Sequence, residues 1–123
     1  MLFRGRPKPA TLIHTLVGEW KAETMSGDVK GEITAVFNTD GSYLTRNQME
    51  IRGVMANPVT QTGHYRIEPL DKQRFRLFTM DENGHPISAT VRTFVDSNTM
   101  INEIGPITFH RVGSVNPLDR PLF

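Results

Sequence analysis

Glu32-Ile33-Thr34-Ala35-Val36-Phe37-Asn38-Thr39-Asp40-Gly41-Ser42-Tyr43-Leu44-Thr45-Arg46-Asn47-Gln48-Met49-Glu50-Ile51-Arg52 decides the fold class. Ile33, Ala35 and Phe37 fall on one face of an extended chain, the period of two that a half-buried strand shows. Asn38-Thr39-Asp40-Gly41 interrupts the run, with Gly41 able to take the positive φ that a tight hairpin needs. The same period then resumes, with Tyr43, Thr45, Asn47, Met49 and Ile51 set against Leu44, Arg46, Gln48, Glu50 and Arg52.

The pattern repeats on either side. Before the hairpin, Val17–Met25 alternates Gly18, Trp20 and Ala22 with Glu19, Lys21 and Glu23. Ahead of it, Ala10–Leu16 is the one helical piece: Leu12, Ile13 and Leu16 share a face and Pro9 suits a first turn. A helix of about two turns cannot stand alone and must pack on something. After the hairpin, Val59–Glu68 sets Val59, Gln61, Gly63, Tyr65 and Ile67 against Thr60, Thr62, His64, Arg66 and Glu68. Arg74–Met80 sets Phe75, Leu77 and Thr79 against Arg76 and Phe78, and Asp81-Glu82-Asn83-Gly84 turns the chain. In Pro86–Val95 the expected inner row is Ala89, Val91, Thr93 and Val95, with Thr90 and Arg92 outside. Thr99–Ile104 and Ile107–Val112 close the series around Gly105-Pro106.

Eight short antiparallel strands with one apolar face have unpaired edges unless the sheet closes or stacks. A two-sheet sandwich usually needs a long crossover, and the connections here are short. The expectation is an all-β, eight-stranded, up-and-down antiparallel barrel over residues 10–113. A basic tail (1–9) precedes it and a Pro-rich tail (114–123) follows. Composition agrees, since thirteen Thr, nine Val and eight Ile make about a quarter of the chain β-branched.

Composition also narrows function. At 123 residues the chain holds one domain. With no cysteine it can have no disulfide framework, thiolate zinc site or cysteine nucleophile. Fourteen basic against thirteen acidic residues leave +1, too little to draw the chain to nucleic acid or membrane by bulk charge. No apolar run approaches the ~20 residues of a membrane helix. The opening residues show no stretch suited to a secretory signal, so a cytoplasmic address is expected.

Gly18-Glu19-Trp20 follows directly on the short helix, and the last strand ends Phe109-His110-Arg111-Val112. With Asp40-Gly41 and Gly63-His64-Tyr65, these segments resemble the lipocalin-like (calycin) barrels. That resemblance implies a Gly-x-Trp at the closed end, an Arg from the final strand stacked on the indole, and an N-terminal helix plugging the bottom. The matching structural-plug residues are Gly18, Trp20 and Arg111. Secreted lipocalins are longer and usually carry a disulfide, and their Thr-Asp-Tyr type of turn has no counterpart here. The chain is more similar to small bacterial lipocalin-like domains. Some calycin-like barrels bind haem, but the further glycines that mark them are replaced by Lys21-Ala22-Glu23. No cofactor is expected.

The histidines, His14, His64, His85 and His110, have no second histidine at i+2 or i+4, so no metal site is expected. Asp81-Glu82 sits in a turn, where water keeps carboxylates ordinary. Ten Arg against four Lys, with Arg46, Arg52, Arg66, Arg74, Arg76 and Arg92 read as outward, raise the thought of a phosphate-tracking surface with Phe78 or Phe94 as stacking partners. Glu50, Glu68 and the acidic turns interleave with them, and a mixed-charge surface without nucleic-acid binding is the preferred reading.

The inner faces remain. They combine apolar residues with Tyr43, Asn47, Met49, Gln61, Tyr65, Leu77, Thr79 and Asn102, which are the expected ligand-binding residues. An apolar cavity with a few convergent polar groups suits a small apolar or amphipathic molecule held without covalent chemistry. The alternatives are a filled core, an isomerase- or cyclase-type enzyme using Tyr43 or Tyr65 as an acid, and a protein-interaction module. The apolar residues at both chain ends suggest a homodimer through the tails.

Overall fold

The computed structural model describes residues 9–112. The two expected tails, apart from Pro9, lie outside the described residues, and so does the expected dimer contact through them. Helix α1 (Pro9–Leu16) leads into β1 (Gly18–Ser26), β2 (Val29–Phe37) and β3 (Ser42–Ile51). There follow β4 (Val54–Met55), β5 (Val59–Pro69), β6 (Arg74–Met80), β7 (Pro86–Asp96), β8 (Thr99–Asn102) and β9 (Ile107–Arg111). All pairings are antiparallel, in the order β1–β2–β3–β5–β6–β7–β8–β9. Strand β9 pairs back on β1, so eight strands close into the expected up-and-down barrel.

Strand β4 is an addition. It folds back on the end of β3 through Arg52 (φ 52°) and Gly53 (φ 81°). Two successive positive φ values make the mirror-image turn whose twist suits a hairpin. Arg in its first position, in place of Asn or Asp, is why the alternation alone does not announce it.

One end of the barrel is packed solid. Leu12 and Leu16 of α1, together with Trp20, Phe37, Phe75 and Phe94, are almost wholly removed from water. Arg111 ties this end together. Its guanidinium carbon lies 4.3 Å from the centre of the Trp20 ring. Nη1 donates to Val17 O (2.9 Å), and Nη2 donates to Thr15 O and to Ser97 O (2.8 Å). Nε donates to Ser97 O and to Asn98 Oδ1 (3.2 Å). A helix C-terminus leaves carbonyls without partners, and here a guanidinium from the far end of the chain supplies donors. Trp20 Nε1 donates to Leu16 O at 2.8 Å, so the indole is fixed from edge and face.

Strand β7 corrects the expected phase. Arg92 pairs with Phe75 and Asn102, and Phe94 with Met100, all on inward rows. Phe94 is therefore core and not an outer stacking platform, and Val91 and Thr93 face outward. Thr93 Oγ1 donates to Glu103 on the outer wall. Burying a phenyl ring removes more apolar surface from water than burying a second valine, and Phe94 also meets Phe75 and Trp20 at centroid distances of 5.0 and 6.0 Å. Arg92 turns inward as a consequence.

Replacing Arg111 removes the stack and takes donors from the buried Val17 carbonyl and the part-buried carbonyls of Thr15 and Ser97. Arg111→Ala is expected to lower unfolding free energy by roughly 2–4 kcal/mol in urea titrations, and Arg111→Lys to recover less than half of that. A loss under ~0.5 kcal/mol would show that the closed end does not depend on this residue.

Candidate functional site

The inward rows divide by depth. At the closed end lie Tyr43, Tyr65 and Leu77, all buried. Tyr65 packs edge-on against Phe37 (5.2 Å), and Tyr43 lies against the same ring (6.5 Å). At the other end, Asn47, Met49 and Gln61 point inward by register and are nevertheless exposed. Thr79 and Asn102 are half-buried between these levels. Thr79 Oγ1 and Ser88 Oγ are 2.6 Å apart, and Asn102 Oδ1 accepts from Ile104 N–H at 3.2 Å. The expected ligand-binding residues thus do not form one cluster: three belong to the floor, three to the mouth, and two lie midway.

Floor hydroxyls are committed differently. Tyr65 donates to Asn38 O at 2.7 Å, and burial, helped by the nearby Asp40 carboxylate, pushes its pKa up to about 12. That moves it away from neutrality and gives it a structural hydrogen bond in place of an acid's role. The Tyr43 hydroxyl is buried and has no hydrogen-bond partner.

The residue that sequence reasoning placed wrongly is the most unusual one in the lumen. Arg92 sits above the aromatic floor, its guanidinium carbon 5.0 Å from the centre of the Phe109 ring. Nε donates to Thr90 Oγ1 at 3.3 Å, while Nη1 is closed off from solvent and meets no acceptor. The residue as a whole keeps some exposure, and within its guanidinium it is Nη1 that is closed off from solvent. Burial pulls its pKa down to about 10, which still leaves it charged at neutral pH. No Asp, Glu or His stands on the inward rows of the described strands. The available signal was Phe94: of two apolar phases in β7, the one with the larger ring goes inside and carries Arg92 with it.

Among the described residues, the wall is thinnest between β1 and β9. β1 and β9 pair only at Trp20↔Arg111 and Lys21↔His110. Towards the mouth a cleft of about 820 Å³ separates them, lined by outward residues such as Lys21, Glu23 and Thr108 and by inward Thr24 and Ile107. Outside, Arg74 grips Glu103 through two bonds (2.8 and 3.1 Å), Arg76 pairs with Glu68, and Arg66 lies 4.3 Å from the Phe78 ring centre. Among the described residues no three His, Asp or Glu side chains gather as a metal site, and no helix is long and apolar enough to cross a membrane. Comparison with protein-family models, curated proteins and solved structures returned no match to the chain.

Because Tyr65 is held protonated, its contribution to stability is present below pH ~10, its unfolded value, and is lost as pH rises through about 12. Urea midpoints measured from pH 8 to 12 should therefore fall less steeply for Tyr65→Phe than for the unsubstituted chain. Parallel curves would show that this hydroxyl is not buried as described.

Proposed function

We propose that the chain is a lipocalin-like barrel that binds a small apolar or amphipathic molecule in its lumen, reached through the mouth opposite α1. The observation that carries this reading is the exposure of side chains that face inward. Met49, Ile51 and Val59 retain 45%, 47% and 66% of their surface although register sets them on the inner face. Ile51 ends β3 and Val59 opens β5, so this exposed apolar surface lies at the rim of the barrel, with Met49 next below on the inner face. An apolar surface that a folded protein leaves open inside a concavity is what a ligand's apolar body covers. Asn47 and Gln61 beside them supply polar groups at the same depth. The packed floor beneath supports the reading by giving the lumen a fixed bottom.

A neutral fluorescent probe tests it. N-phenyl-1-naphthylamine should bind saturably, one per chain, and competition with unlabelled apolar molecules should release it unchanged. Met49→Asp with Ile51→Asp should weaken the probe about tenfold, equivalent to about 1.4 kcal/mol, while leaving the unfolding midpoint nearly unmoved because both residues are exposed. Unsaturable binding, or equal binding by the double variant, would contradict the proposal.

A further inference from the structure

Main-chain pairing is incomplete at the cleft between β1 and β9. Val112 N–H donates to Glu19 O at 2.8 Å, so Glu19 directs its main-chain groups towards β9. Alternate residues of a strand point to the same side, and Lys21, Glu23 and Met25 therefore share that edge. The β1–β9 ladder ends at Lys21↔His110, which leaves the N–H and C=O of Glu23 and Met25 facing the cleft. On the opposite bank Thr108, two residues before His110, does the same. All three residues are exposed. Two open strand edges across one cleft are a template for a further extended segment, which completes the wall.

Side chains beside the cleft restrict what that segment carries. Glu23 stands directly opposite Glu32, a like-charge pair that is unfavourable in a sheet. Lys21 bridges to Glu32 at 3.8 Å, and Glu23 has no ion-pair partner among the described residues. A cation is therefore favoured next to Glu23, and an apolar side chain next to the exposed Met25. Inside, Thr24 and Ile107 leave room towards the mouth, whereas buried Ala22 lies where the strands converge. A ring suits the first place and a small residue the second.

Leu2-Phe3-Arg4-Gly5-Arg6, outside the described residues, carries this pattern when set antiparallel to β1. With Arg4 opposite Glu23, Leu2 meets Met25, Phe3 meets Thr24 and Gly5 meets Ala22. Pro7, which has no N–H to give, falls where the ladder has already closed. Residues 113–123 offer no such run, because Pro117 and Pro121 interrupt them. Within one chain the segment cannot reach the cleft. From Arg6 to Pro9 an extended chain spans at most ~11 Å. Helix α1 is tied at Thr15 and Leu16 to Arg111 and Trp20, inside the wall, and from there crosses the closed end to pack on β5. That carries Pro9 away from β1 by about the helix's own ~12 Å.

We infer that the cleft between β1 and β9 takes up residues 2–6 of a second copy as an added strand, so that the chain associates with itself. Such uptake does not depend on what the lumen binds.

The absence of cysteine permits a direct test on the full chain. Leu2→Cys mixed with Met25→Cys under mild oxidation should form the mixed disulfide at least about tenfold faster than Leu2→Cys mixed with Val95→Cys, a control on an exposed residue of β7. Sedimentation equilibrium of the unsubstituted chain should give a mass that rises with concentration. Glu23→Lys and Arg4→Glu should each weaken the association about tenfold, and the double variant should return to within about threefold of the parent. Glu23 is exposed, so its replacement leaves the fold in place. A single-chain mass at every concentration, association indifferent to both charge reversals, a double variant no better than either, or a mixed disulfide no faster than the control would each overturn the inference. So would a Leu2→Cys, Met25→Cys chain that closes its disulfide within itself in dilute solution, which would place the segment in its own cleft.

Discussion

The contact between Arg111 and Trp20 is where the first and last strands of the barrel meet, and the remaining structure is arranged around it. A meander of eight strands is an open sheet until its ends pair. Here the ends share only two register positions, which is little backbone to hold a closure. Side-chain chemistry supplies the rest: the guanidinium stacks on the indole, takes up carbonyls at the end of α1, and fixes the Ser97-Asn98 turn between β7 and β8. One residue thus joins the helix, both terminal strands and a distant turn, and the Val17 carbonyl it bonds is buried.

Sealing one end has a consequence for the other. With Trp20, Phe37, Phe75, Phe94 and the two leucines of α1 packed into the floor, the barrel obtains its core from about half its depth. The upper half is under less pressure to fill, and there the inward rows carry Thr24, Asn47, Gln61 and Ser88 beside exposed Met49, Ile51 and Val59. The β1–β9 gap belongs to the same half. Arg92 stands at the boundary, above the aromatic floor and below the open mouth, with its guanidinium over the Phe109 ring and its Nη1 closed off from solvent.

Much of this was legible in residue order. Alternation in Glu32–Arg52 and in Val59–Glu68 places Tyr43, Asn47, Gln61 and Tyr65 inward, as observed, because each of those strands has one apolar phase. Gly18, Trp20 and Arg111 were named as a plug through the resemblance to lipocalin-like barrels, and Arg111 does lie on the Trp20 ring at the end covered by α1. Strand β7 was not legible by the same rule. Its two phases, Val91 with Val95 and Thr90 with Phe94, are both partly apolar, and a charged residue within one of them argued for the outside. Long-range packing of Phe94 against Phe75 and Trp20 decides the matter, and the larger ring of Phe94 is its one local sign. The site's inner charge was missed for that reason. Depth was also illegible: period two assigns a face, whereas the level of Tyr65 in the floor and of Gln61 at the mouth follows from strand register.

If the closed end is the element on which the rest depends, its hydrogens must be the last to exchange. The most direct measurement is native-state hydrogen exchange followed by NMR at the Trp20 indole N–H and the Arg111 amide, compared with the amides of Thr24 and Met25 above the β1–β9 gap. Exchange of the first pair only through global unfolding, and of the second pair through local opening orders of magnitude faster, is the result this structure predicts. Trp20 and Arg111 exchanging as fast as Thr24 and Met25 would contradict it.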